Sequence, residues 1–386
     1  MLLPYDASAV LDLTAELDRW KTQLDYRGPA PRAWAGRLRR DLEADAVAAS
    51  TSMEGVPVTV EEVHHILAGD RPAQTTEEDV ALVRGYRDAM SFVLRRADDT
   101  AFKWDGELLV GLQDRILAGN WGAGAGRLRT GLAHLVDHRT GALVFQPPSA
   151  GDVPELVDRA CSVIDKGLEH AAIGAAWIHA AVAAIHPFTD GNGRAARVVA
   201  SLAMYRGGFK LPEFTSLEEW WGRHLSEYYA SFRCLGQAFD PNADVTPFIR
   251  AHLEAQLHQV RALDLRARVQ QRIWTAVEEA VSAAGLAPRV ANAVWDAFFG
   301  RSVTPRYYRP LADVSVATAT TDLAAAVAAG LLRPVGRART RSYHAGHSLY
   351  TRIGAALGVP VNESGEPARG NIIGELTKRV ASARPS

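Results

Sequence analysis

The sequence predicts a mainly α-helical protein, and three observations carry that expectation. Most of the 386 residues fall in stretches whose apolar residues recur at three- and four-residue spacing, each stopped by glycine or proline. The stretch Ala171–Ile185 is apolar on all sides, as a helix in a core is. β-Forming residues gather in only two short runs, 132–145 and 331–343, each around a glycine-containing turn. With a net charge of −1 the chain as a whole has no pull toward nucleic acid or membrane.

Taken in order, the chain reads as a short helix near 8–24, a Pro-rich linker at 28–31, and a longer helix over 33–53. That helix has Leu38, Leu42 and Ala46 at helical spacing and is stopped by Gly55 and Pro57. Two helices follow between 59 and 94, separated by Gly69-Asp70-Arg71-Pro72, and Thr59 with Glu62 forms a capping box. An amphipathic helix covers 105–117. A hairpin is expected over 131–146, turning at His138-Arg139-Thr140-Gly141 and ending at Gln146-Pro147-Pro148. Helices over 153–168 and 171–185 lead to His186. The two cysteines, Cys161 and Cys234, sit among apolar neighbours in expected helices, so neither a disulfide framework nor a zinc site is read. No signal peptide is read at the N terminus, and a cytoplasmic location is expected. The scarcity of lysine beside arginine, in an Ala-rich sequence, suggests a GC-rich bacterial source.

The segment 186–197 reads His-Pro-Phe-Thr-Asp-Gly-Asn-Gly-Arg-Ala-Ala-Arg. Gly191, Asn192 and Gly193 can adopt positive φ and turn their N–H groups on an anion. A helix then runs from 194 to about 206, ended by Gly207 and Gly208, and its N terminus suits phosphate. Arg194 and Arg197 share one face of it. Asp190 is an oxygen ligand of the kind Mg²⁺ shares with phosphate. His186 is placed to act as a general base, and Phe188 reads as an anchor. A second informative place lies upstream. Ser50 and Glu54 are four apart on one helical face, with Glu54 at the unfavourable negative end of the dipole, where it gains most from a nearby cation.

Together these residues resemble the Fic (Fido) family motif, His-x-Phe-x-Asp/Glu-Gly-Asn-Gly-Arg-x-x-Arg, which 186–197 matches at every fixed position. Residues 50–55 are similar to the inhibitory motif of that family, Ser/Thr-x-x-x-Glu-Gly/Asn. The resemblance implies a helical Fic core with a β-hairpin flap, preceded by a helical segment with an inhibitory helix. It implies transfer of AMP from ATP, with Mg²⁺ or Mn²⁺ on Asp190, to a Tyr, Thr or Ser hydroxyl of a target protein or of the chain itself. His186 would be the base, Arg194 would hold the β-phosphate and Arg197 the γ-phosphate. Glu54 would pair with Arg197 and block the γ-phosphate, Ser50 would orient the site, and the flap at 131–146 would dock the target, with Leu143, Val144 and Phe145 facing the nucleotide. Tyr228 and Tyr229 would wall the adenine site. Where some members have asparagine eight residues after the first tyrosine, this sequence has Gly236.

After the motif, one helix is expected from Ser216 through Trp220, Trp221, Tyr228 and Tyr229, and another over 246–263. From 261 to 343 twelve arginines face six acidic residues. Helices over 265–284, 289–300, 305–312 and 316–329, then two strands around Gly336-Arg337-Ala338-Arg339, resemble a winged helix-turn-helix. Thr318, Thr320 and Thr321 would start its recognition helix, with Arg337, Arg339 and Arg341 on the wing. Nucleic-acid contact and protein docking or dimerisation both remain open for it. The expected organisation is 1–100 N-terminal helical region, 101–260 catalytic domain, 261–345 winged helix, and 346–386 one helix (348–357) with a mobile tail. Three functional alternatives stand beside AMP transfer: removal of AMP using Glu54, a DNA-bound regulator whose Fic domain senses nucleotide or modifies only itself, and a degenerate scaffold, against which the intact motif argues.

Overall fold

The computed structural model describes residues 2–26, 32–56, 58–136, 140–214, 217–337, 341–362 and 365–382. The linker at 28–31, Pro57, His138, Arg139, Ser216, Ala338 and Arg339 lie outside the described residues. The chain forms two compact units. One comprises Met1–Arg32, Arg39–Val63 and Ala73–Arg261, the other Ala33–Leu38, His64–Pro72 and Ala262–Ser386. The four segments expected from sequence are thus not four units, and most of 1–100 folds together with 101–260.

In chain order the first helices are α1 (Leu11–Tyr26), α2 (Arg32–Ser52), α3 (Val60–Leu67), α4 (Glu77–Ala97) and α5 (Gly106–Ile116). Local chemistry explains their starts. The Glu62 amide donates to Thr59 Oγ1 while the Thr59 amide donates to Glu62 Oε2, Thr76 and Asp79 repeat that box for α4, and Asp105 caps α5. The flap strands β1 (Leu135–Val136) and β2 (Leu143–Phe145) pair antiparallel. Then come α6 (Val153–Asp165), α7 (Ala171–Ile185) and α8 (Asn192–Arg206). Helix α7 is buried along its whole length except at Ala171 and Ala183, which is why it can be apolar all round. It packs chiefly on α8, with α4 and α5 against α8 and α6 against α7. Gly85 permits the close approach of α4 to α5, since a β-carbon there would stand 2.3 Å from the Arg115 carbonyl oxygen.

Three expectations are corrected. The single helix through the Trp and Tyr pairs is two, α9 (Leu217–Arg223) and α10 (Leu225–Ser231). At His224 the backbone leaves helical space (φ −122°, ψ 44°) and Nδ1 donates to the Trp220 carbonyl at 2.8 Å. The helices expected at 246–263 and 265–284 are one, α11 (Thr246–Ala283), because 248–284 holds no glycine or proline to break it. Cys161 is buried in α6 as expected, but Cys234 is half-buried in a short 3-10 turn.

The second unit holds α12 (Ala291–Phe298), α13 (Pro305–Ala312), α14 (Val316–Ala328), β3 (Leu332–Val335), β4 (Ser342–Ala345), α15 (Leu349–Ala356) and α16 (Gly365–Ser382). Helices α13 and α14 meet at 105° through Asp313, which is left-handed at φ 51°. Strands β3 and β4 pair antiparallel from Leu332 with Ala345 to Val335 with Ser342. Asp296 is fully buried and receives Arg37, Arg301 and the Tyr307 hydroxyl. Burial alone would raise its carboxyl, but the two guanidinium groups hold it below the usual range. The C-terminal tail is not the single helix followed by a mobile segment expected from sequence. It includes α16, which buries Ala368, Ile372, Leu376 and Val380 on one stripe. No single helix among the described residues is long and apolar enough to cross a membrane.

Candidate active site

The first unit brings together His186, the segment 190–197, Ser50, Glu54 and Tyr228. Helix α7 ends on His186, whose backbone is left-handed (φ 50°, ψ 58°) with its amide donating to the Val182 carbonyl at 2.9 Å. That conformation is uncommon for a residue with a β-carbon and turns the chain sharply into the loop. Burial pushes the imidazole down to about 4, and the Arg129 charge works in the same direction against Glu54 and Asp190. The ring is therefore neutral near pH 7 and able to accept a proton.

The loop is pinned from inside. Phe188 is fully buried. The Asn192 side chain accepts from the Phe188 amide and donates to the Phe188 carbonyl, each at 2.9 Å. Gln113, also fully buried, donates to the Asp190 and Gly124 carbonyls and accepts from the Gly126 amide. Of the three turn residues expected at positive φ, only Gly191 has it, at 82°. Asn192 and Gly193 already belong to the first turn of α8, because the Asn192 side chain ties the helix start to Phe188. No side chain caps this N terminus, which leaves it suited to an anion.

The two arginines differ. Arg194 is buried, yet its Nε and Nη1 have no hydrogen-bond partner among the described residues, and its Nη2 lies 3.4 Å from Asp190 Oδ1. Buried donors are rarely left so, and an anionic ligand would satisfy them. Arg197 is fully engaged. Its Nε donates to Ser50 Oγ (3.1 Å), its Nη2 to the Ser50 carbonyl (3.1 Å) and to Glu54 Oε1 (2.8 Å), and its Nη1 reaches Tyr228 Oη at 3.5 Å. Burial would lower the guanidinium, but Glu54, Tyr228 and Tyr86 outweigh it and raise it. Glu54 stands in the turn just past α2, where Gly55 is left-handed (φ 83°). Its side chain is 25% exposed against 3% for Arg197, so the carboxylate reaches the arginine from the solvent side.

Tyr228 differs from the expected adenine wall. It is buried, its hydroxyl lies 3.1 Å from His179 Nε2, and burial pushes it up to about 12. A buried tyrosine hydroxyl needs a partner, and here Arg197 and His179 supply it. Tyr229 is the open member of the pair, at 57%. In the flap, Leu143 and Val144 are half exposed, whereas Phe145 is buried and so does not form part of the open edge.

Sequence reasoning did not single out Arg129, Gln113, Tyr86 or Glu218. The Tyr86 hydroxyl donates to Glu218 Oε1 at 2.8 Å in the interior. Behind Arg197 lies a polar cavity of ≈ 20 Å³ lined by His179, Glu218, Trp221 and His252 among others, large enough for about one water molecule. The one signal for it was His179, a lone imidazole in an otherwise apolar helix. Asp190 is exposed and no group of three His, Cys, Asp or Glu gathers around a metal position among the described residues. A single carboxylate beside an anion site fits a hard cation held partly by phosphate oxygens, not a resident zinc-type centre.

Comparison with known proteins agrees with this geometry. A sequence profile of the Fic/DOC family matches residues 103–204: the chain carries a Fic (Fido) domain. Protein adenylyltransferase fic-1 of Caenorhabditis elegans is 30% identical over 138 residues, which is 35% of this chain and 24% of that protein. A Fido domain-containing protein of Dictyostelium discoideum is 35% identical over 72 residues, 19% of this chain and 46% of its own. The chain thus spans about a quarter of the length of the fic-1 relative it matches. Among solved structures, a Fic family protein from Desulfovibrio desulfuricans superposes with a TM-score of 0.58 at 22% identity, covering 90% of this chain and 98% of that one. Fic-1 of C. elegans superposes with a TM-score of 0.53 at 21% identity, covering 65% and 70%.

Proposed function

We propose that the chain transfers AMP from ATP to a Tyr, Thr or Ser hydroxyl of a protein, and that Glu54 holds this activity down. The observation that carries the reading is the Glu54–Arg197 pair at 2.8 Å, set beside an Arg194 whose buried donors have no partner at an uncapped helix N terminus. That is an anion site with one of its two cations already taken by the protein's own carboxylate. The fic-1 relatives are named as adenylyltransferases, which supports AMP as the group moved.

In this reading His186 removes the proton from the target hydroxyl. The oxygen forms a bond to the α-phosphorus as the bond to the bridging oxygen breaks, and pyrophosphate leaves. The N terminus of α8 and Arg194 take the negative oxygens, and Arg197 takes the γ-phosphate once Glu54 has withdrawn. Most of the rate then comes from position and preorganised charge. Asp190 would hold a Mg²⁺ or Mn²⁺ ion, whose contribution is charge neutralisation on the phosphates. The exposed side chains of Leu132, Val136, Leu143 and Val144 would receive an extended segment of the target along the flap.

The test compares wild type, Glu54→Gly and Glu54→Gly with His186→Ala, incubated with α-labelled ATP and Mg²⁺ or Mn²⁺, with and without lysate. Weak, strong and no labelling, in that order, is the expected result. Labelling by none of the three, with no ATP binding, overturns the reading. Stripping of AMP from a modified protein by wild type, with no labelling by Glu54→Gly, would assign removal instead.

A second reading concerns the other unit. Three helices followed by an antiparallel hairpin, with exposed Arg337 and Arg341 near its turn, favour contact with DNA phosphates through this wing. The Thr320 and Thr321 hydroxyls donate to helix carbonyls four residues back, which leaves base reading to other groups. Salt-dependent DNA binding lost on neutralising Arg337 and Arg341 is the expected outcome. Its absence would make the unit a protein-docking module.

A further inference from the structure

Arg129 is buried, and every hydrogen-bond acceptor it meets among the described residues is a main-chain carbonyl. Its Nε donates to the His186 carbonyl at 2.8 Å, its Nη1 to Gly131 at 2.9 Å, and its Nη2 to Pro148 at 2.6 Å, with Ile185 at 3.5 Å. Its own amide donates to the Pro187 carbonyl at 2.9 Å. Burial lowers the group, and no carboxylate faces it. What balances the charge is the negative end of α7, whose last carbonyls, Ile185 and His186, have no helical partner beyond them. The acceptors fall in two groups. Ile185, His186 and Pro187 carry the candidate base, while Gly131 and Pro148 stand at the two feet of the hairpin, just before β1 and just after β2.

We propose that Arg129 is a positioning residue that fixes the flap and His186 to one another through a single planar fork. The inference rests on the AMP-transfer reading for its consequence in catalysis. A flap that docks the target delivers the hydroxyl, and the base must meet that hydroxyl within hydrogen-bond reach. Both are referred to one rigid guanidinium. Its fixed geometry can serve four carbonyls on two segments at once. A lysine ammonium keeps the charge but is a point donor on a flexible stem. Arg129 makes no contact with Gly191, Arg194 or Arg197, so nucleotide affinity is not its business.

The test uses the full chain in the Glu54→Gly background and introduces Arg129→Lys. The expected result is a fall in kcat of about 30-fold or more, the scale of an ångström-sized misplacement, with KM for ATP changed by less than about twofold. A companion Arg129→Ala should regain part of its kcat with added methylguanidinium. Amide exchange of 131–136 and 186–189 should quicken in Arg129→Lys while 192–206 keeps the parent rate. An unchanged kcat in Arg129→Lys overturns the proposal. So does a parallel loss of ATP affinity and of protection throughout α8, which would mean general damage to the fold. If the Glu54→Gly parent itself labels nothing, the AMP-transfer reading fails, and the exchange comparison still decides whether Arg129 holds the two segments together.

Discussion

A β-carbon on Gly193 would stand 2.4 Å from Glu54 Oε1. The carboxylate that pairs with Arg197 therefore occupies space that exists only because α8 begins with a glycine. That space lies over the helix N terminus, where an anion gains most. In the proposed reading the carboxylate and the terminal phosphate of ATP contend for the same place, so the inhibitory contact and the catalytic motif share one structural requirement.

Glu54→Gln keeps the shape of the side chain and removes its charge. A hydrogen bond to a charged group contributes about 1.5–3 kcal/mol, so AMP transfer should rise by about 10- to 100-fold in Glu54→Gln. Ser50→Ala removes one neutral acceptor from Arg197 and should move the rate by less than about tenfold. The measurement is initial labelling rate at saturating ATP for the three forms. Equal rates for wild type and Glu54→Gln would show that the ion pair does not restrain the site.

The Asn192 side chain holds the loop through two hydrogen bonds to Phe188. Asn192→Ala leaves a buried amide and carbonyl unpaired, each costing about 1–3 kcal/mol. Thermal stability should fall, and labelling in the Glu54→Gly background should fall further than stability alone accounts for, since His186 loses its fixed approach. A variant with lowered melting temperature but full activity at 20 °C would place the role of Asn192 in the fold alone.

How far the site was legible in the sequence follows from which interactions are local. The 186–197 segment holds its chemistry in consecutive residues, so the turn, the helix start and the arginine face could be read directly. Glu54 lies 143 residues from Arg197, and only resemblance to a family connected the two. Arg129 and Gln113 act through main-chain carbonyls of distant segments and carry no spacing signal. The break at His224 depends on a ring nitrogen finding a carbonyl, and the unbroken α11 depends on nothing stopping it. Helix α16 was read as a mobile tail because Gly370 and Gly374 lower its propensity, while the stripe Ala368, Ile372, Leu376 and Val380 was present all along. Leu376→Ala should accordingly destabilise the second unit by about 2–5 kcal/mol, a loss measurable by urea unfolding of the full chain. A change below about 0.5 kcal/mol would show that α16 contributes no packing.

The last prediction concerns acid. His179 and His252 are buried next to each other, with ring centroids 5.4 Å apart. Burial holds His179 well below its ordinary value and pushes His252 down to about 3. Both rings are neutral in the folded chain, while in the unfolded chain a histidine titrates near 6.5. Between those limits the unfolded state binds more protons, so stability rises with pH and falls as pH is lowered from about 6.5 toward 3. Each such histidine contributes a slope of about 1.4 kcal/mol per pH unit in that window. His252 has no hydrogen-bond partner on either ring nitrogen among the described residues. Replacing it with phenylalanine removes both the titration and two orphaned atoms. Urea midpoints at pH 7.5 and pH 5 should therefore differ less in His252→Phe than in wild type, with the variant no less stable at pH 7.5. An unchanged difference would mean that His252 is protonated in the fold and has a partner there.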